Sequence, residues 1–232
     1  MAPLASSGVL AVAVDQRGYS PGARPDEVSA YRTDRLVSDA LGVLDALGWE
    51  SAHVVGHDWG AIVAWELAAR HPAHVRSLTA LSVPHPRAFA HALATDDVQR
   101  AKSAYLQLFR SDHVKAAQVL LADDAAALRK VYGDDVHHYD VDQYVEHFSE
   151  EGALEASLRW YAAMGRMDTP DVTVPTTYLW GTEDIAVGEA AAHGCAQHCT
   201  GAYELRVLEG RGHWLPDQDP DAVVDAILAR VG

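Results

Sequence analysis

An α/β fold, an open and mostly parallel sheet with a helical block inserted into it, is predicted by three features of the chain. Short apolar strands alternate with helical periodicities at both ends of the sequence. A strand-to-helix turn bracketed by glycines, Gly56-His57-Asp58-Trp59-Gly60, lies in the first of these stretches. Between the two ends, from about residue 90 to residue 166, helix follows helix with no convincing strand. Alternation of strand and helix builds parallel sheets covered by helices, and a break in the alternation reads as an insertion.

The elements follow in order. Val9-Leu10-Ala11-Val12-Ala13-Val14 is a continuous apolar run that stops at Asp15 and the turn residues Gly18, Ser20, Pro21 and Gly22. It predicts a strand buried on both faces. Leu36, Val37, Ala40, Leu41, Leu44 and Leu47 keep helical spacing over residues 31–47, and Gly48 stops that helix. Residues 52–55 predict a strand, 60–70 a helix with Pro72 just beyond it, and 75–83 a third strand. After the helical block, strand character returns at 176–180, followed by a helix near 188–199, a strand at 203–208 and a last helix at 221–231. The expected division is a sheet core from residues 1–88 and 169–232, with a helical cap from residues 89–168. Short connections and right-handed crossovers place the strand C-termini on one edge, where ligands bind in open α/β sheets.

Composition narrows the function. The 232 residues carry 18 Lys plus Arg against 33 Asp plus Glu, a formal charge of −15. A phosphate backbone is repelled by that average field, so no nucleic-acid partner is expected. The longest uncharged stretch is 14 residues, too short to span a bilayer, so no membrane association is expected either. Met1-Ala2-Pro3-Leu4 has no basic region of the kind that opens a secretory signal, and there are only two cysteines. Both points predict a reducing cytoplasm and no disulfide scaffold. Fifteen Arg against three Lys reads as a GC-rich, bacterial codon bias. His193-Gly194-Cys195-Ala196-Gln197-His198-Cys199 holds four soft side chains, but at no structural-zinc spacing, so no metal is expected. His137-His138 reads as solvated surface.

Three positions carry chemistry. Glycines at both ends of Gly56-His57-Asp58-Trp59-Gly60 permit a sharp turn that lifts Asp58 above the sheet edge, with Asp where the G-x-S-x-G motif has Ser. The helix N-terminus beneath supplies N–H groups and a positive dipole that keep the carboxylate ionised. The competing reading is a plain N-cap, a position that Asp favours. Gly210-Arg211-Gly212-His213 follows the last strand and delivers His213 as a general base. Asp184 follows the preceding strand and can orient the imidazole; the adjacent Glu183 is the competing acid. Nucleophile, acid and His then occur in the order of the α/β-hydrolase triad.

Taken together, Asp15-Gln16-Arg17-Gly18-Tyr19, Gly56-His57-Asp58-Trp59-Gly60-Ala61, Leu81-Ser82-Val83-Pro84-His85-Pro86 and Gly212-His213-Trp214 resemble the epoxide hydrolases of the α/β-hydrolase superfamily, from about Leu4 to the C-terminus. The resemblance implies an α/β-hydrolase fold with an inserted helical cap. It implies two cap tyrosines that donate hydrogen bonds to the epoxide oxygen; Tyr105 and Tyr161 match these, with Tyr132, Tyr139 and Tyr144 as substitutes. It also implies Trp59, His57, Phe109 and Trp160 around the oxyanion and the substrate. Asp58 then attacks an epoxide carbon, and His213, oriented by Asp184, activates the water that hydrolyses the ester to a vicinal diol. The implied partners are a small hydrophobic epoxide and water, with no cofactor; a homodimer is left open.

The chain departs from that family in one place. The family's His-Gly-x-Pro loop and the three strands around it are missing upstream of Asp15. The expectation is an N-terminally truncated product in which Met1 is an internal methionine, and Pro3 to Gly8 end a helix. One oxyanion donor would then be lost, at a cost of about 10²–10³ in rate. A gap is expected between residues 9–14 and the strand at 52–55, with unpaired backbone on both sides. Two other readings stand beside the first: a haloalkane dehalogenase using the same Asp58–His213–Asp184 set, and an inactive fold kept as a binding module. A serine esterase is disfavoured, because the elbow holds no Ser.

Overall fold

The computed structural model of the protein describes residues 1–166 and 168–232. Its sheet has four strands, β1 (Ala52–His57), β2 (Val75–Leu81), β3 (Thr176–Gly181) and β4 (Tyr203–Leu208). They lie in the order β1-β2-β3-β4, and every pairing is parallel. All strand C-termini therefore reach one edge. The helices are α1 (Ala2–Ser6), α2 (Thr33–Leu47), α3 (Trp59–Arg70), α4 (Pro86–Thr95), α5 (Asp97–Lys102), α6 (Leu106–Ser111), α7 (His113–Tyr132), α8 (His138–Ser149), α9 (Ala153–Ala162), α10 (Glu189–Gly194), α11 (Leu215–Gln218) and α12 (Pro220–Val231). Six of them, α4 to α9, fall between β2 and β3.

Alternation along the central strands assigns the two faces of the sheet. Leu78, Ala80, Tyr178 and Trp180 point to one side, where they pack with α2 and α3 through Leu36, Val37, Ala61, Ala64 and Trp65. Leu81 and Leu179 point to the other, against Val223, Ala226 and Ile227 of α12. This period of two, with apolar residues in both phases, is what burial on both faces requires. The helical block has a core of its own, built by Ala116, Leu120, Leu128, Tyr132, Val141, Val145, Leu154 and Leu158. Residues 122–125 interrupt α7, with Asp123, Asp124 and Ala125 in the left-handed region.

Most predicted elements are present at about the expected places. Gly48 ends α2 at φ 68°, where its N–H bonds back to Asp45 and a side chain would be strained. The predicted helix near 188–199 divides into α10 and a 3₁₀ turn at Cys195–His198.

The first predicted strand is not formed. Residues 9–14 join no ladder, and Leu10, Val12 and Val14 are 76%, 46% and 51% exposed. Val9 and Ala11 lean on the α12 cluster, but no strand lies between this segment and β1 among the described residues. β1 is consequently the edge of the sheet, and Val55 faces solvent. An apolar run becomes a strand only where a neighbour accepts from its N–H groups and donates to its C=O groups, and here none does.

Candidate active site

The turn from β1 into α3 is built as a sharp elbow. A Cβ on Gly56 would stand 2.3 Å from the carbonyl oxygen of Gly60, so only glycine permits the closure. Asp58 at its apex has φ 53° and ψ −122°, a conformation disfavoured for any residue with a side chain. Its carbonyl accepts the N–H groups of Ala61 and Ile62, which starts α3. Its carboxylate makes no capping bond and turns instead towards His213, so the N-cap reading of this residue does not fit.

His213 and Asp184 come from the ends of the other strands. Gly181, at the end of β3, would place a Cβ 2.2 Å from the carbonyl oxygen of Arg211, so the loop after β4 lies directly over it. That approach brings His213 Nδ1 to 3.0 Å from both carboxylate oxygens of Asp184, and Nε2 to 3.1 Å from Asp58 Oδ2. Asp184 is fully buried and also accepts the N–H groups of Ala186 at 2.8 Å and Val187 at 3.0 Å. Glu183 is exposed, and its side chain is not hydrogen-bonded to His213. The three side chains form one continuous hydrogen-bonded row.

Electrostatics sets the protons along that row. Burial lowers the basicity of His213, but the charge and hydrogen bond of Asp184, then those of Asp58, outweigh it and push the imidazole up to about 10. Burial raises the Asp58 carboxyl, yet His213 and the backbone N–H of Trp59 hold it below the usual carboxylate range. The resting site is therefore an imidazolium between two carboxylates. An imidazole raised from its unfolded value of 6.5 to about 10 contributes stability that is complete below pH 6.5 and lost as pH rises towards 10. Thermal unfolding should show the wild type losing more Tm than His213→Gln between pH 6.5 and pH 10; equal losses would contradict the assignment.

The cavity beside Asp58 has a volume of about 60 Å³, several times the roughly 10–15 Å³ that one water needs. Trp59, Ile62, Val83, Pro84, Phe89, Leu106, Met164 and Val187 line it with apolar surface, and Tyr105 and Tyr161 bring phenols. Burial, followed by the negative charge of Asp58, raises both phenols above their ordinary value, so each carries its proton. The Tyr161 ring stands edge-on to Trp59 at 5.0 Å.

Several expected site residues lie elsewhere. Trp160 is buried in the core beneath the cavity and donates its indole N–H to the Arg17 carbonyl at 2.8 Å. Phe109 packs behind the tyrosines, 5.3 Å from Tyr105 and 5.1 Å from Tyr161. His57 turns away from the cavity and bonds the backbone oxygen of His213. Tyr132 and Tyr144 do not line the cavity; their rings are tilted against one another at 5.3 Å, and Tyr139 is exposed. Cys195 is buried and accepts the N–H of His85.

Glu66 was not foreseen as a site residue. It lines the far end of the cavity, bonded by Arg70 at 2.6 Å and by the Thr169 hydroxyl. Trp59, Ile62 and Glu66 fall at i, i+3 and i+7 of one helix, a spacing that marks a shared face. That signal was present in the sequence.

An Asp elbow, a His after the last strand and a buried Asp after the one before it, at one edge of a parallel sheet, define an α/β-hydrolase. The family model for the alpha/beta hydrolase fold matches residues 1–220, and the chain belongs to that family. AB hydrolase superfamily protein YfhM of Bacillus subtilis is 33% identical over 97% of this chain and 82% of its own length. Epoxide hydrolase A of Mycobacterium tuberculosis is 29% identical over 97% of this chain and 82% of its own length. Mouse Epoxide hydrolase 4 is 28% identical over 94% of this chain, which spans 64% of that protein. Among solved structures, one of the novel epoxide hydrolases from metagenomes of hot environments superposes with a TM-score of 0.82 at 27% identity, over 94% of this chain and 80% of its own.

Proposed function

We propose that this protein is an epoxide hydrolase acting on a small, hydrophobic epoxide. The observation that carries the reading is the hydrogen-bonded row Asp58–His213–Asp184 opening onto an apolar cavity that also holds two protonated phenols. A carboxylate nucleophile suits attack at a saturated carbon, and the phenols suit an oxygen that leaves carbon as an alkoxide.

Asp58 attacks an epoxide carbon, the carbon–oxygen bond breaks, and Tyr105 or Tyr161 gives its proton to the departing oxygen. Ester formation removes the charge of Asp58. One of the two anions that keep His213 protonated is then gone, so the imidazolium releases its proton and restores the phenol. Neutral His213, held by Asp184, takes a proton from water, and the hydroxide adds to the ester carbonyl. Collapse breaks the acyl–oxygen bond, the departing alkoxide takes the proton of the added hydroxyl, and a vicinal diol leaves with Asp58 charged and His213 protonated as at the start. The site's own electrostatics therefore times the base: His213 becomes one only after Asp58 has reacted.

Dehalogenation by the same triad needs a second N–H donor for the halide. Trp65, Trp160, Trp180 and Trp214 all donate to backbone carbonyls, and Trp59 is the one Trp lining the cavity among the described residues. The reaction is tested by intact-mass spectrometry of His213→Gln after exposure to styrene oxide and, separately, to 1-bromobutane. Addition of the whole epoxide mass, lost again in Asp58→Ala, is the expected result. An alkyl adduct from the bromide alone would move the assignment to a dehalogenase, and no adduct from either would refute an alkylated intermediate.

A further inference from the structure

Gly210 and Gly212 flank the approach to His213, and their N–H groups tie the loop to Thr182 Oγ1 at 2.9 Å and to Gln218 Oε1 at 2.6 Å. The imidazole must bridge two carboxylates with bonds of about 3 Å, which needs residue 213 itself to be fixed beyond these two tethers. The backbone oxygen of His213 shows how the loop is held. It accepts the Ser82 hydroxyl at 2.5 Å, His57 Nε2–H at 2.9 Å and the Leu215 N–H at 3.0 Å. A carbonyl has two lone pairs, so three donors saturate it.

Two of the three donors come from the sheet edge. His57 is the last residue of β1, and Ser82 directly follows β2. Ser82 is fully buried at φ 63°, a left-handed conformation that costs a serine free energy and persists only where surroundings impose it. Those surroundings are visible: its N–H bonds the Leu179 carbonyl at 2.9 Å, and its own carbonyl accepts the Tyr178 hydroxyl at 2.6 Å, both from β3. The strained backbone aims the hydroxyl at His213. His57 can serve only as a donor with a proton on Nε2. Burial, aided by the neighbouring His213 charge, pushes it down to about 4, so it holds that neutral form at neutral pH.

We infer that Ser82 and His57 are positioning residues that clamp the backbone carbonyl of His213 and thereby aim its imidazole at the Asp58 ester, with Tyr178 holding Ser82 in its left-handed conformation. The ends of β1 and β2 then meet at one carbonyl beyond β4, and β3 acts on it through Ser82. The inference rests on His213 being the base of the proposed reaction. It predicts a division between the half-reactions, since Asp58 alkylation does not need an aimed base and ester hydrolysis does.

The test is single-turnover kinetics with styrene oxide, quenched and read by intact mass, on Ser82→Ala, Ser82→Gly, His57→Leu and His57→Gln. Glycine suits φ 63° but lacks the hydroxyl, so it separates the hydrogen bond from backbone strain. Glutamine restores an N–H donor at position 57. Ester formation should stay within about threefold of wild type in all four. Ester hydrolysis should slow by up to about 10²-fold in Ser82→Ala, Ser82→Gly and His57→Leu, with ester accumulating, and recover in His57→Gln. Equal slowing of both half-reactions, or slowing that His57→Gln shares with His57→Leu, would overturn the clamp. Should Ser82→Ala fail to fold, the His57 pair decides alone. His213→Gln is the control: if it accumulates ester and the clamp variants do not, only this inference fails. If His213→Gln accumulates none, the assignment of the base fails and the clamp with it.

Discussion

Asp58→Ala should lose essentially all epoxide turnover, about 10⁵–10⁶-fold in kcat, while remaining folded. The magnitude follows from the loss of a nucleophile that acts as a unit with its base. Folding should survive because the carboxylate caps nothing and is a third exposed. Alanine keeps the Cβ and so retains the strain at φ 53°, leaving the backbone contribution nearly unchanged. Diol formation measured beside a thermal unfolding curve checks both halves. The same variant reports on His213: with one anion removed, its imidazole should titrate well below about 10, visible in its ring proton shifts by NMR. A variant that still opened epoxides would dismiss Asp58 as the nucleophile.

Asp184→Ala should damage the molecule differently, losing roughly 10³–10⁴-fold in kcat and stability as well. Asp184 is fully buried and accepts from His213, Ala186 and Val187. Its removal leaves the Nδ1–H of a buried imidazole and two backbone N–H groups without a partner, a class of change that costs about 3–5 kcal/mol when an ion pair is broken from one side. Asp184→Asn separates the two effects. Its amide oxygen still accepts from Ala186 and Val187, so stability should largely recover, but the charge that raises His213 is gone and activity should not. Urea denaturation and diol formation on both variants decide it. Glu183→Ala is the contrast: an exposed side chain, it should change neither by much.

The parts of the site that could be read from the sequence are those whose chemistry is local. Gly56 and Gly60 flank Asp58 because the elbow's backbone closes on itself within five residues, and that closure excludes a Cβ. Asp184 and His213 follow strands, and strand ends in a parallel sheet share an edge, so their meeting could be expected before any distance was known. The cavity wall was less legible. Trp160 adjoins Tyr161 in sequence and Phe109 lies one helical turn beyond Tyr105, yet one faces the core and the other backs the phenols. Which side of a short helix meets the cavity depends on how that helix docks. An apolar residue suits either side equally.

The sequence by itself determined most of the order of strands and helices, the elbow and the three side chains that the proposed reaction uses, because each rests on residues a few positions apart. Tertiary structure decided three other matters. It left residues 9–14 unpaired although their composition suits a strand, since a ladder exists only when a neighbouring strand offers its backbone groups. It buried Asp184 against His213 and left Glu183 exposed. It also brought Ser82 and His57, 131 and 156 residues from His213 along the chain, onto the same carbonyl oxygen. Contacts over such separations are set by how the sheet packs, and no local pattern of residues encodes them.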